Sequence, residues 1–102
     1  MANFNKKDEI GFGLGFYKRE KWQQLLETAV DRDVLEDTYD EWLAVFKEGV
    51  KNFKSSGLDV KMVVVEISEL LDYCKKNKLK NTAETRAGFI AEKLRIEGGD
   101  PL

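Results

Sequence analysis

Chemistry at neutral pH needs a nucleophile, a base or a set of metal ligands, and this sequence supplies few of them. It has no histidine and one cysteine, Cys74. The commonest general base and metal ligand is therefore missing, and neither a Ser–His nor a Cys–His pairing can form. Cys74 falls toward the C-terminal end of a helical pattern, where the dipole disfavours a thiolate. Its spacing from Leu70 and Leu71 marks it as a small core residue. No catalytic residue is assigned, and the chain is expected not to be an enzyme. A role for Cys74 or paired carboxylates ranks last among the readings.

Metal and phosphate chemistry fare no better. Asp31 and Asp33 begin like a calcium loop, but Leu35 takes the third ligand position and Glu36 replaces the turn glycine. These acids suit the N-terminus of the next helix instead. The run GFGLGF lacks phosphate-loop spacing. No metal site and no cofactor are expected.

One cluster has a chemical logic. Lys78, Lys80, Asn81, Thr82 and Arg86 surround the start of the last helix. Unpaired backbone N–H groups and the positive dipole end there favour an anion, so a phosphate or nucleic-acid backbone could dock. The blander reading leaves the lysines solvated and pairs Arg86 with a nearby acid or stacks it on an aromatic. The blander reading carries more weight.

These residues need a scaffold, and periodicity outlines one. Ile10, Phe12, Leu14 and Phe16 alternate with Gly11, Gly13 and Gly15, the period of a strand. Trp22, Leu25, Leu26 and Ala29 form one stripe of a helix over residues 18–29. Asp37 or Thr38 can cap a second helix carrying Tyr39, Trp42, Leu43, Phe46, Val50 and Phe53, with Glu41 placed to complete a capping box from Thr38. Gly49 inside it implies a close neighbour, and Gly57 stops it. Met62–Val65 reads as a strand covered on both faces, the centre of a segment at 60–67. Ser68 is expected to cap a third helix ending at Asn77. The fourth spans 82–95, with Ala83, Ala87, Ile90 and Leu94 inward and Phe89 widening the stripe.

The implied fold is α/β in the α+β sense: four helices on a minimal sheet, in the order (β)-α-α-β-α-α. Residues 1–9 are expected to be a flexible tail, 10–97 one globular domain, and 98–102 a frayed tail. The strand's partner is either residues 10–16 or the same strand of a second copy, and the first is preferred. With 102 residues and 42% hydrophobic content, the chain suffices for one core.

KREKW, YDEWLAVF, SGLDV, ELLDYCKKNKLKN and TAETRAGFIAEKL occur in that order. Together they resemble a family of small, uncharacterised bacterial proteins of this length. The spacing of Trp22, Trp42, Gly57, Cys74, Arg86, Phe89 and Leu94 carries the resemblance, which spans residues 17–95 and leaves out GFGLGF. It implies a fold and no activity.

Net charge is −2, so no general affinity for nucleic acid or anionic membrane follows. The order strand–helix–turn–helix invites a ribbon-helix-helix reading. Yet one strand face presents Lys61, Val63 and Val65, the other Met62, Val64 and Glu66, and neither offers two basic or amide side chains to base edges. Nucleic acid is not the expected partner. No apolar run approaches the ~20 residues that span a bilayer, and the N-terminus lacks a signal-peptide pattern, so no membrane role is expected. The lone cysteine suits a reducing compartment, and the cytoplasm is the expected location. By elimination the reading is a non-catalytic domain that binds an unknown protein or itself. Met62, Val63, Val64 and Val65 are its candidate interface, and anion binding at the last helix is the alternative.

Overall fold

The computed structural model describes residues 12–102. The expected tail at 1–9, together with Ile10 and Gly11, lies outside the described residues. Among these, four helices pack on a three-stranded sheet, an α+β architecture in the expected order with one strand added at the end.

β1 (Phe12–Phe16) leads through a 3-10 turn at Arg19–Lys21 into α1 (Trp22–Thr28), shorter than the periodicity suggested. A second 3-10 turn at Arg32–Val34 precedes α2 (Tyr39–Ser55). Of the two cap candidates Thr38 caps α2: its hydroxyl accepts from the Glu41 N–H, and the Glu41 carboxylate accepts from the Thr38 N–H. Gly57, at φ 78°, takes the left-handed conformation that ends the helix.

β2 is Val60–Val64, and the extended segment stops there because Ile67 already starts α3 (Ile67–Asn77). Ser68 is thus inside the first turn and exposed, and the N-cap is Glu66, without a side-chain cap bond. Lys78 closes α3 in the left-handed region, at φ 57°. α4 is Ala83–Glu97, capped by Thr82, whose hydroxyl accepts from the Thr85 N–H.

β1 runs parallel to β2 with Phe12 opposite Val60 and Phe16 opposite Val64, so within the expected segment 10–16 the described residues 12–16 pair with the strand. The C-terminus departs from the expected frayed tail. Residues 100–101 form β3, antiparallel to β2, with Lys61 opposite Pro101 and Met62 opposite Asp100. The Leu102 N–H also donates to the Val60 carbonyl at 3.1 Å. The tail is therefore the third strand, made short by the proline that cannot donate to a ladder.

Helices cover both sheet faces. On one, Phe16 meets Trp42 and Phe46 of α2, and Phe12 stacks on Phe53 at 5.6 Å. On the other, Ile90 and Leu94 of α4 settle onto Gly13 and Gly15. A Cβ on Gly13 would lie 3.1 Å from the Leu94 Cδ2, and one on Gly15 would run into the Ile90 side chain. The glycines are there so that α4 can approach the backbone of β1. Gly49 behaves differently: a Cβ there would meet nothing within 4 Å, so the expected close neighbour is absent within the described residues.

The buried face of α4 is also rotated from expectation. Thr85, Arg86, Phe89 and Leu94 are buried, whereas Ala83 and Ala87 are exposed. Apolar residues lie around much of this helix, so spacing alone could not choose its inner face. The core gathers Tyr17, Trp22, Leu25, Tyr39, Trp42, Val65, Ile67, Leu70, Cys74 and Phe89.

Candidate functional site

The anion cluster at the start of α4 is brought together only in part, and an acid of the chain already occupies it. Arg86 is 5% exposed. Its guanidinium donates to both carboxylate oxygens of Asp31, at 3.0 and 3.2 Å, and to the Asn81 side-chain oxygen at 3.0 Å. The Ala83 N–H, in the first turn of α4, donates to Asp31 Oδ2 at 2.7 Å. Asp31 thus supplies the negative charge that the helix end and the arginine call for. Burial pushes its carboxyl up, but the hydrogen bonds from Arg86 and Ala83 and the guanidinium charge outweigh this and hold it below the ordinary value.

Asn81 is likewise buried, its amide donating to the Thr28 hydroxyl at 3.2 Å and its carbonyl accepting from the Val30 N–H at 3.0 Å. Thr82 is committed to the cap. Of the proposed anion residues only Lys78 and Lys80 are exposed. The arrangement is a clamp: it ties the loop after α1 to the start of α4. Asp31 and Arg86 each stand out in the sequence, but 55 positions separate them and no local pattern joins them.

Cys74 is buried, and that burial raises its thiol pKa despite the charge of Arg86, which favours the inert thiol. The aromatic residues do not form an open cage. Tyr17, Trp22, Tyr39 and Trp42 are buried with ring centroids 5.3 to 6.1 Å apart, and the Tyr39 hydroxyl donates to the Tyr17 carbonyl at 2.6 Å.

The candidate interface Met62–Val65 needs a correction. Val63 and Val65 are core residues, and β2 is flanked by β1 on one side and β3 on the other. A central strand has no edge left for a second chain. Met62 and Val64 are half-buried on the α2 face.

Among the described residues the open edge belongs to β1. Phe12 donates its N–H to the Asp59 carbonyl, and the Phe16 carbonyl accepts from the Val65 N–H. Backbone groups alternate sides along a strand, so Phe12, Leu14 and Phe16 address β2 while Gly13 and Gly15 address the opposite side. On that side neither glycine's N–H nor its carbonyl has a partner among the described residues. The strand carries no charge and no proline, and Phe12 is 51% exposed.

The other border of the sheet is closed. There β3 contributes Pro101 and Asp100, and beyond it the Lys93 ammonium caps the Val64 carbonyl at 2.9 Å while pairing with Glu69 at 2.8 Å. Proline and charge are the usual protections of a strand edge, and only one border has them.

Comparison with family models, curated proteins and solved structures returns no match for this chain. No helix among the described residues is long and apolar enough to cross a membrane.

Proposed function

We propose that this chain is a non-catalytic interaction domain that holds a protein partner along the open edge of β1. The observation that carries the reading is the asymmetry of the sheet. One border is blocked by Pro101, Asp100 and Lys93, while the other presents the backbone of Gly13 and Gly15, unpaired among the described residues, beside an exposed Phe12. An extended segment laid on β1 gains backbone hydrogen bonds and covers apolar surface at once. The anion-binding alternative has less support, because an incoming phosphate would have to displace Asp31 from Arg86 and Ala83.

The test is retention of protein from extract on the immobilised chain, compared with Phe12→Lys and Leu14→Lys. Both lysines place a charge on the strand without touching the glycine face, and circular dichroism checks that each variant folds. The expected outcome is a partner, of this chain or another, held by the unmodified protein and lost from both variants. Equal retention by all three would remove β1 from the reading.

A further inference from the structure

We infer that the partner on the β1 edge is a second copy of this chain, paired antiparallel about a two-fold axis through Leu14. This deepens the interaction reading above and rests on it. The first support is the strand itself: Phe12-Gly13-Leu14-Gly15-Phe16 reads the same in both directions. Antiparallel pairing with a copy sets Leu14 against Leu14 and Phe12 against Phe16. It also sets Gly13 of one copy against Gly15 of the other, in the close hydrogen-bonded positions. Every outward N–H and carbonyl of the glycines then finds its complement. The strand's own side chains bring no charge against a like charge.

The helices supply the second support. In α2, Trp42, Phe46 and Phe53 point at β1. At about 100° per residue, Leu43 and Val50 fall to one side of that line, and Gly49 and Val45 to the other. A crossover between parallel strands is right-handed as a rule; applied to β1–α2–β2, the rule puts β2 under the first side and leaves Gly49 and Val45 over the open edge. Val45 is 55% exposed, and Gly49 has open space where its Cβ would be. Phe46 lies over Phe16 and Phe53 over Phe12, which leaves Gly49 near the level of Leu14, beside the proposed axis. A glycine at that place lets two helices approach closely, typically to about 8–10 Å.

The same holds on the opposite face. Lys93 and Phe89 of α4 turn toward β2 and α3, meeting the Val64 carbonyl and Tyr73. Glu84, Ala87, Ala91 and Arg95, spaced three, four and four apart, lie on the flank above the open edge, and all four are exposed. Two-fold pairing runs this flank against its copy in the reverse direction. Small alanines then face one another at the centre, and Glu84 near one end comes toward Arg95 near the other, acid to base. The inward spacing read from the sequence at Ala83 and Ala87, and the close neighbour implied by Gly49, are both unexplained within one copy. A second copy accounts for Ala87 and for Gly49.

Light scattering after size exclusion, across protein concentration, tests the assembly. The expected mass is twice that of the chain, falling to the chain mass in Gly49→Arg. That substitution fills open space and replaces glycine by a better helix former, so the single copy stays folded and its helical dichroism is kept. Oxidative cross-linking in a Cys74→Ala background tests the register. Leu14→Cys should link into a covalent dimer, since directly opposed Cα atoms at non-hydrogen-bonded positions lie ~4.5 Å apart, within disulfide reach. Phe12→Cys should not, because its counterpart is displaced along the strand by about 13 Å at ~3.3 Å per residue. A folded chain of single mass at every concentration overturns the inference. In that event an edge-dependent partner of another kind would leave the interaction reading standing. A dimer that survives Gly49→Arg, or one that is linked by Phe12→Cys and not by Leu14→Cys, also overturns it.

Discussion

Asp31 and Arg86 show how one ion pair can claim a site that looks free in sequence. Removing the carboxylate leaves a buried guanidinium without its counter-charge, held by the neutral oxygens of Asn81. Losing one partner of a buried pair costs about 3–5 kcal/mol, and because Asp31 keeps 20% side-chain exposure, roughly 2–3 is the expectation for Asp31→Ala. Urea denaturation at neutral pH measures it, and a change within error of zero would mean that the clamp bears no load. The pH dependence follows from the lowered carboxyl pKa. The folded state binds a proton at Asp31 less readily than the unfolded state does, so the pair's stabilisation is complete above the unfolded pKa of about 3.9. It is lost as pH falls below that value toward the folded pKa. Asp31→Ala should therefore flatten the acid limb of stability against pH, and a limb of unchanged steepness would contradict this. At this scale the legible features were those written locally. The Thr38–Glu41 capping box needs residues three apart, whereas Asp31 and Arg86 meet only after the whole chain has folded.

Between elements, the contact of α4 with β1 depends on the bare backbone of Gly15. Gly15→Ala drives a methyl into Ile90 and toward the Val65 Cγ2 at 3.2 Å, and overpacking of this kind costs about 1–3 kcal/mol. Ile90→Val removes the Cδ1 that is struck. In the double variant the two losses should fall short of their sum, a coupling that thermal or urea unfolding of all four proteins would detect. Strict additivity would mean that α4 adapts by moving as a whole. Elements announced themselves where a strong period met a clear stop, as in α2 between Thr38 and Gly57. They were misread where the signal was diffuse. α4 has apolar residues on several sides, and its inner face holds Thr85 and Arg86, polar residues satisfied by a half-buried acid and a cap. β3 was read as a loose end because Gly98-Gly99-Asp100-Pro101 has the composition of one. What makes it a strand is the vacant side of β2 and the tight passage of Gly99, where a Cβ would lie 2.8 Å from the Met62 carbonyl.

Among the described residues the sheet is finished at one border and open at the other, and for the proposed dimer that inequality would govern how copies associate. An isologous contact at β1 uses its edge up and closes on itself. A second open edge would let each copy bind two neighbours and grow without limit. On the proposed dimer residues 98–102 would prevent this, because β3 covers Lys61 and Met62 and Leu102 takes the Val60 carbonyl. Ending the chain at Glu97 should therefore leave the helices folded while exposing the second border. The expected result is a mass that climbs with concentration and time in light scattering, against a fixed mass for the full chain, and Phe12→Lys in the shortened chain should suppress the growth by closing the first border. If the shortened chain keeps the full-length mass, β3 is not the guard. Lys93, still seated on the Val64 carbonyl at 2.9 Å, would then be sufficient to protect β2 by itself.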